Sequence, residues 1–214
     1  MADLLVDGAG ILAGLGVIST LDSSLDFGAS RWTRRAVALA SFLALAVIVA
    51  PTLWLMAAMG VRNANLPVLL SFESPLESEL YAGMQTPPPT RQPAPAGCVT
   101  DGTMICHSVA SGRWGTMLAM APYNDWKGYK AVSFLVASAN DEPLNVGVML
   151  RSNRTSFYKQ FTAGPEPQRV RIAFEDILAK RPTFDLSNVH TLVVSAAEPG
   201  EPYGVLFDDF RLEN

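Results

Sequence analysis

The segment PLNVGVMLR, residues 143–151, alternates between aliphatic and other residues. Its residues alternate strictly: Leu144, Val146, Val148 and Leu150 against Asn145, Gly147, Met149 and Arg151. Successive side chains of a β-strand point to opposite faces, so this period of two predicts a strand buried on one face. The aliphatic side is expected to face a core.

Similar short runs, separated by turn residues every eight to twelve positions, fill the second half of the chain. This spacing is typical of an all-β sandwich with antiparallel strands. Strands are predicted at 103–110, 113–120, 130–138, 143–151, 156–162, 168–174, 189–196 and 203–213. The segment FEDILAK, residues 174–180, is the one predicted helical turn of this domain.

The composition divides the chain into an apolar part and an ordinary globular part. Of 214 residues 49% are hydrophobic and the mean hydropathy is +0.21, but the apolar excess lies mainly in the first seventy residues. The net charge of −4, without a dense Lys/Arg cluster, gives no reason to expect nucleic-acid binding. We predict a membrane anchor followed by one folded domain.

Residues 36–60 contain no charged side chain and are predicted to form a transmembrane helix. A helix of this length reaches roughly 37 Å, more than the roughly 30 Å hydrocarbon core of a bilayer. A core helix would show a polar stripe, and a cleaved signal peptide would begin near residue 1 and be shorter. Both alternatives are disfavoured.

The charges beside this segment predict its orientation. Arg31, Arg34 and Arg35 precede it, whereas Arg62 is the one basic residue that closely follows it. The positive-inside rule then places the arginines in the cytoplasm and the C-terminal domain in the periplasm of a bacterial inner membrane. The N-terminus is cytoplasmic if residues 1–21 do not span.

Residues 1–21 are apolar and rich in small residues whose spacing lets helices approach closely in lipid. We favour a helix lying at the membrane interface over a second, short span. The predicted organisation is therefore an apolar helix and basic segment at 1–35, the span at 36–60, a tether at 61–68 and the β-domain at 69–214. So short a tether would keep the domain close to the membrane.

Cys98 and Cys106 enclose the turn signal Asp101-Gly102. A three-residue loop would place the two cysteines opposite each other at a distance that a disulfide can close, and a periplasmic location would favour the bond. Two free buried thiols are the alternative. Upstream, residues 85–97 hold five prolines and are predicted to form an extended, semi-rigid surface connection.

Four segments follow one another in the order found in galactose-binding-like jelly rolls: DWKGYKAVSFLVAS (125–138), QRVRIAFEDI (168–177), FDLSNVHTLVVSA (184–196) and YGVLFDDFRLEN (203–214). This family includes several carbohydrate-binding modules and the related domain of complex I assembly factors. The resemblance covers about residues 69–214 and implies a mainly β, antiparallel jelly-roll sandwich. The N-terminal DLLVDGAGILAGLG resembles the last helices of VanZ-like membrane proteins.

The resemblance implies two kinds of ligand. Modules of this fold often hold a structural calcium ion between the first and last strands, where Glu73 and either Asp208 or Asp209 stand here. The alternative is that these carboxylates face solvent or cap a strand end. No other cofactor is expected.

Sugar-binding modules also present aromatic platforms, because the apolar face of a sugar stacks on an aromatic ring. The available aromatic residues are Trp114, Tyr123, Trp126, Tyr129, Tyr158 and Phe161. Trp126 and Tyr129 match a core-forming turn of the family and are expected to pack inside. Tyr158 and Phe161 are therefore the predicted ligand-binding residues.

No catalytic residue is predicted, and the chain is not expected to be an enzyme. His107 and His190 stand apart in the sequence, and none of the familiar nucleophile, zinc-protease or phosphate-loop motifs is present. The carboxylates of residues 175–176 and 185 are explained by helix and turn capping.

Two functions are compatible with this organisation. The one favoured from the sequence is a non-catalytic accessory subunit that contacts other integral membrane subunits and lipid through residues 1–60 and braces the periplasmic face of the complex with its β-sandwich. The alternative is a membrane-anchored protein that binds envelope glycans. The whole architecture resembles the small extra subunits of bacterial photosynthetic reaction-centre–antenna complexes.

Overall fold

The computed structural model describes residues 31–82, 89–95, 102–110, 115–120, 125–153, 155–197 and 203–214. The chain divides into two compact units at the bond between Ala57 and Ala58. Helix α1 (Arg31–Ala64) supplies the described part of the first unit and ends within the second. The predicted N-terminal helix at 1–21 lies outside the described residues.

Helix α1 is apolar around its circumference, as a helix surrounded by lipid would be. The segment Ala38–Ala64 has a mean hydropathy of 2.2 and is, within the described chain, the one helix long and apolar enough to cross a membrane. Near its start the Arg35 guanidinium lies 5.9 Å from the centre of the Trp32 ring, which allows a cation–π contact.

The second unit is a sandwich of two antiparallel sheets. Its elements, in chain order, are β1 (Val68–Leu70), a 3₁₀ helix (Pro75–Leu80), β2 (Tyr81–Ala82), β3 (Thr90–Pro93), β4 (Met104–Ala110), β5 (Gly115–Met120), β6 (Ala131–Ser138), β7 (Leu144–Ser152), β8 (Ser156–Ala163), β9 (Gln168–Ala173), α2 (Phe174–Lys180), β10 (Val189–Ala197) and β11 (Tyr203–Glu213). Sheet A has the strand order β3-β4-β11-β6-β9, with β1 also paired to β11; sheet B has the order β2-β5-β10-β7-β8.

The inner faces of the two sheets form one hydrophobic core. Its largest fully buried side chains are Trp126, Tyr203, Phe72, Phe134, Phe207 and Phe210. The Phe134 and Phe210 rings stack with centroids 4.7 Å apart, and the Trp126 ring stacks on Phe174 at 5.5 Å. This burial of aromatic surface is the main force holding the sheets together.

Strand β11 contains a β-bulge that lets two phenylalanines enter the same core. The register with β6 shifts between Asp208 and Arg211, and Asp209 adopts a left-handed backbone with φ of 50°. The extra residue makes Phe207 and Phe210 both point inward although they are three positions apart.

The turn after β1 is held by polar side chains. Phe72 has φ of 60°, a strained conformation for a large residue. The Arg91 guanidinium donates hydrogen bonds to the carbonyl oxygens of Phe72 and Glu73. The buried Glu77 carboxylate accepts from the Ser71 N–H at 3.2 Å and from its hydroxyl at 3.1 Å. Together these contacts connect the turn after β1 to the 3₁₀ helix and to β3.

The predicted antiparallel sandwich is confirmed, and each of the eight predicted strands corresponds to an observed strand with ends within two residues. The helical turn predicted at 174–180 is α2. The four aliphatic residues of segment 143–151 face the core, as the alternation predicted.

Two parts of the N-terminal half differ from the prediction. The helix continues to Ala64, so residues 65–67 alone separate it from β1 instead of the tether predicted at 61–68. The proline-rich segment 85–97 was predicted as an extended surface connection, whereas Thr90–Pro93 within it pairs with β4 as the edge strand β3. An edge position tolerates proline because one side of the strand needs no N–H donors.

Candidate functional site

The outer face of sheet B carries the candidate site. Pairing of β10, β7 and β8 places Val193 beside Met149 and Met149 beside Tyr158, all on the face away from the core. The next pair along these strands is Gly147 with Gln160. An apolar strip therefore crosses three strands, with a glycine adjoining it.

The Tyr158 ring lies over Gly147. A Cβ atom placed on Gly147 would stand 2.3 Å from Tyr158 Oη and 2.8 Å from two ring carbons, closer than atoms can approach. The missing side chain is therefore what allows the ring to lie down across β7. Gln160 Nε2 donates a hydrogen bond to Tyr158 Oη at 3.0 Å and helps to hold the ring there.

Tyr158 remains 48% exposed in this position and is the one exposed large aromatic side chain among the described residues of the sandwich. Met149 is half-buried, and Val193 is 8% exposed. We call the surface formed by Tyr158, Met149 and Val193 over Gly147 the platform. It is a flat apolar patch, of the kind on which a planar or ring-shaped ligand can stack.

The two predicted ligand-binding residues are not brought together. Phe161 lies on the inner face of β8, and its ring packs 6.0 Å from the Phe134 ring. Tyr158 lies on the outer face of the same strand. The prediction for Phe161 as a surface residue is therefore wrong, because residues three apart in a strand project to opposite sides.

The other aromatic candidates fall into two groups. Trp126 is fully buried and Tyr129 packs against the core, as the sequence led us to expect. Trp114 and Tyr123 lie outside the described residues.

The carboxylates predicted for calcium have protein partners instead. Glu73 Oε1 accepts a hydrogen bond from the Met104 N–H at 2.8 Å. Buried Asp208 accepts from the Asp209 N–H at 2.8 Å, and Asp209 pairs with Arg169 and Arg211.

Across the described segments, no group of three or more His, Cys, Asp or Glu side chains is placed to share a metal ion. The structure therefore offers the predicted calcium no described cluster of acidic ligands, although calcium needs six to eight oxygens.

The predicted disulfide rested on a short hairpin that pairs Cys98 with Cys106, and this pairing is wrong. Arg91 of β3 lies opposite Cys106, in the place where a short hairpin would have put Cys98. Cys106 is a free, fully buried thiol, and Cys98 lies outside the described residues. Burial, and secondarily the Asp208 carboxylate, raises the pKa of Cys106 to about 12.

The two histidines lie on different sheets. His107 is on β4 of sheet A and pairs with Leu206, whereas His190 is exposed on β10 with Nδ1 2.8 Å from the Thr191 hydroxyl. Neither is part of the platform.

Comparison with known proteins identifies the class of fold. No protein-family profile and no curated protein matches the sequence. Among solved structures, an exo-β-agarase matches 68% of this chain with a TM-score of 0.56 and 13% identity, and a second agarase matches 69% with 0.50 and 11%. A carbohydrate-binding module specific for non-crystalline cellulose matches 70% with 0.50 and 13%.

The extent of the matches differs between these proteins. This chain covers 24% and 26% of the two agarases but 93% of the cellulose-specific module. At such identities the similarity shows the fold alone. The second unit thus has a jelly-roll β-sandwich fold similar to that of these structures, and the predicted fold class is confirmed. The VanZ-like and photosynthetic resemblances stay predictions.

Proposed function

We propose that this protein is a membrane-anchored carbohydrate-binding protein whose platform stacks on a sugar ring. The observation that carries the proposal is the half-exposed Tyr158 ring lying over Gly147. A ring laid flat on a sheet offers one whole face to a ligand, and the apolar face of a sugar complements it. Stacking on an aromatic ring contributes about 0.5–1.5 kcal/mol beyond the area buried.

The similar structures support the same proposal. One is a module that binds non-crystalline cellulose, and the agarases share the sandwich over about a quarter of their length. Because fold does not fix function, these similarities add weight only together with the platform.

Helix α1 is proposed to be the anchor, with lipid as its partner. Its length and apolar surface suit a bilayer, and the arginines at positions 31, 34 and 35 favour an orientation that leaves the sandwich on the outer side of a bacterial inner membrane. The sandwich would then meet envelope glycans close to the membrane.

We propose binding without catalysis. By register, the described outer-face positions of β7, β8 and β10 hold no carboxylate, so the platform lacks the acid pair with which glycosidases commonly cleave. The accessory-subunit role first favoured from the sequence is supported by no feature of the described residues or of the similar structures.

The test is binding of the full chain, in detergent micelles, to amorphous cellulose, agarose and soluble oligouronates. Tyr158→Ala is expected to weaken binding to the recognised glycan at least about tenfold, because the stacking surface is removed. Gly147→Ala is expected to weaken it similarly while the tyrosine stays, because the new methyl group must displace the ring.

The matched control is Leu178→Ala, which removes an exposed apolar side chain from α2. It should bind as the wild type does. If the full chain binds every glycan without discrimination, or if the Tyr158 and Gly147 variants bind with wild-type affinity, the platform is not the binding site. If the full chain binds none of the glycans, the proposed function is wrong.

A further inference from the structure

The outer face of sheet B carries a positive charge next to the platform. By register, the described outer-face positions of β7, β8 and β10 are mostly small or uncharged polar residues, with Met149, Tyr158 and Val193 as the large apolar ones. Arg151 is the one ionised residue in that set. The described part of this face is thus positively charged although the whole chain carries a net charge of −4.

Arg151 is not used to hold the fold together. Its side chain is exposed, and no hydrogen bond or ion pair joins it to another described residue. The arginines of sheet A behave differently: Arg169 and Arg211 pair with Asp209, and Arg171 pairs with Glu213. An exposed arginine without a protein partner beside a candidate binding surface is available to a ligand.

Arg151 also stands in line with the platform. Gly147, Met149 and Arg151 follow one another on the outer face of β7, so the backbone positions of Gly147 and Arg151 are about 13 Å apart at about 3.3 Å per residue. A glycan stacked on the Tyr158 ring above Gly147 and running along β7 would bring a neighbouring sugar unit to the guanidinium.

We propose that the platform binds an acidic polysaccharide, with the carboxylate of a uronic acid unit paired to Arg151. The inference rests on the proposed function and names its ligand class. A guanidinium presents two parallel N–H donors that match the two oxygens of a carboxylate, and such charge-assisted pairs are stronger and more selective than neutral hydrogen bonds. A neutral glucan or galactan would leave this arginine unused.

The test compares each ligand with its own uncharged form. The full chain in micelles is titrated calorimetrically with oligogalacturonides and oligomannuronates, as free acids and as methyl esters. The free acid is expected to bind about tenfold more tightly than its ester, and added salt should weaken its binding because exposed charges are screened. Arg151→Gln should bind acid and ester alike.

Two variants separate the possible failures. Lys130→Gln removes one exposed positive charge directly before β6 of sheet A and should leave the preference for the acid unchanged. Tyr158→Ala should weaken binding of acid and ester together. Equal affinity of the wild type for acid and ester, or a preference that survives Arg151→Gln, would overturn the acidic ligand while leaving the platform intact. Loss of the preference for the acid in Lys130→Gln would also overturn the pairing of the carboxylate with Arg151.

Discussion

Cys106 is a residue whose ionisation the fold strongly suppresses. Its thiol is fully buried, and its pKa is raised to about 12. Because thiolates are the reactive form, we expect Cys106 to resist alkylation in the folded protein and to react in denaturant without prior reduction. Peptide mass spectrometry after alkylation measures both. Modification of Cys106 only after reduction would mean that it is in a disulfide.

The Glu213 carboxylate on β11 is expected to make the free energy of unfolding depend on pH. A hydrogen bond from Ser133, and secondarily the Arg171 contacts, hold the pKa of Glu213 below its usual value. A carboxylate whose pKa is lowered by folding stabilises the folded state at pH values above its unfolded-state pKa. This stabilisation is lost as the pH falls through the folded-state pKa. We expect the free energy of unfolding to decline below about pH 4.5, and Glu213→Gln to flatten that decline.

The measurement for Glu213 is denaturant unfolding of the sandwich between about pH 3 and pH 7, followed by near-ultraviolet circular dichroism. Glu166→Gln, on the exposed loop between β8 and β9, is the control and should keep the wild-type slope. An identical slope in Glu213→Gln and in the wild type would contradict the assignment.

Some residues of the candidate site could be predicted from the sequence and others could not. Tyr158 could be identified from the sequence because an aromatic residue among polar neighbours is unusual on an exposed strand. Phe161 was assigned to the same surface, although the period of two already placed it on the other face. The role of Gly147 was missed: a glycine inside a strand signals close approach, but the approaching group comes from another strand.

Arg91 is one of the side chains that hold the turn between β1 and the 3₁₀ helix. Arg91 donates to the Phe72 and Glu73 carbonyl oxygens and so holds a strained backbone. We expect Arg91→Gln to lower the free energy of unfolding by about 1–2 kcal/mol, because these charge-assisted hydrogen bonds are lost. Urea unfolding measures the change. The control Arg181→Gln, at an exposed site after α2, should have no measurable effect. Equal stability of the two variants would show that the Arg91 hydrogen bonds do not stabilise this turn.

Strands were more predictable than their pairing. The eight strands from β4 to β11 follow from local alternation and turn residues, because each has a face buried in the core. The short strands β2 and β3 were not predicted as separate elements, since two to four residues carry little periodicity and β3 contains a proline. The residue of β3 opposite Cys106 could not be predicted from local spacing. It is Arg91, which is separated from Cys106 in the sequence by a segment that contains prolines and Cys98.

Helix α1 is proposed to be the one apolar helix that retains the sandwich at a membrane. Substituting arginine for both Leu45 and Val47, which are exposed on α1, should cost about 2.5–3.5 kcal/mol per residue on insertion. We expect the wild type to stay with membranes during alkaline carbonate extraction and the double variant to be released. A wild-type protein that is extracted as readily as the variant would contradict the anchor.

Locating the bound sugar on the sandwich tests whether the platform is the binding site. The full chain, labelled with ¹³C in the methyl groups of methionine and isoleucine, is titrated by NMR with an oligosaccharide that it retains. Met149 belongs to the platform, whereas Ile105 lies in a separate apolar cluster with Leu206 of sheet A. We predict that the Met149 methyl signal shifts in proportion to binding and that the Ile105 signal does not. A shift at Ile105 with an unchanged Met149 signal would contradict the claim that the platform binds the glycan.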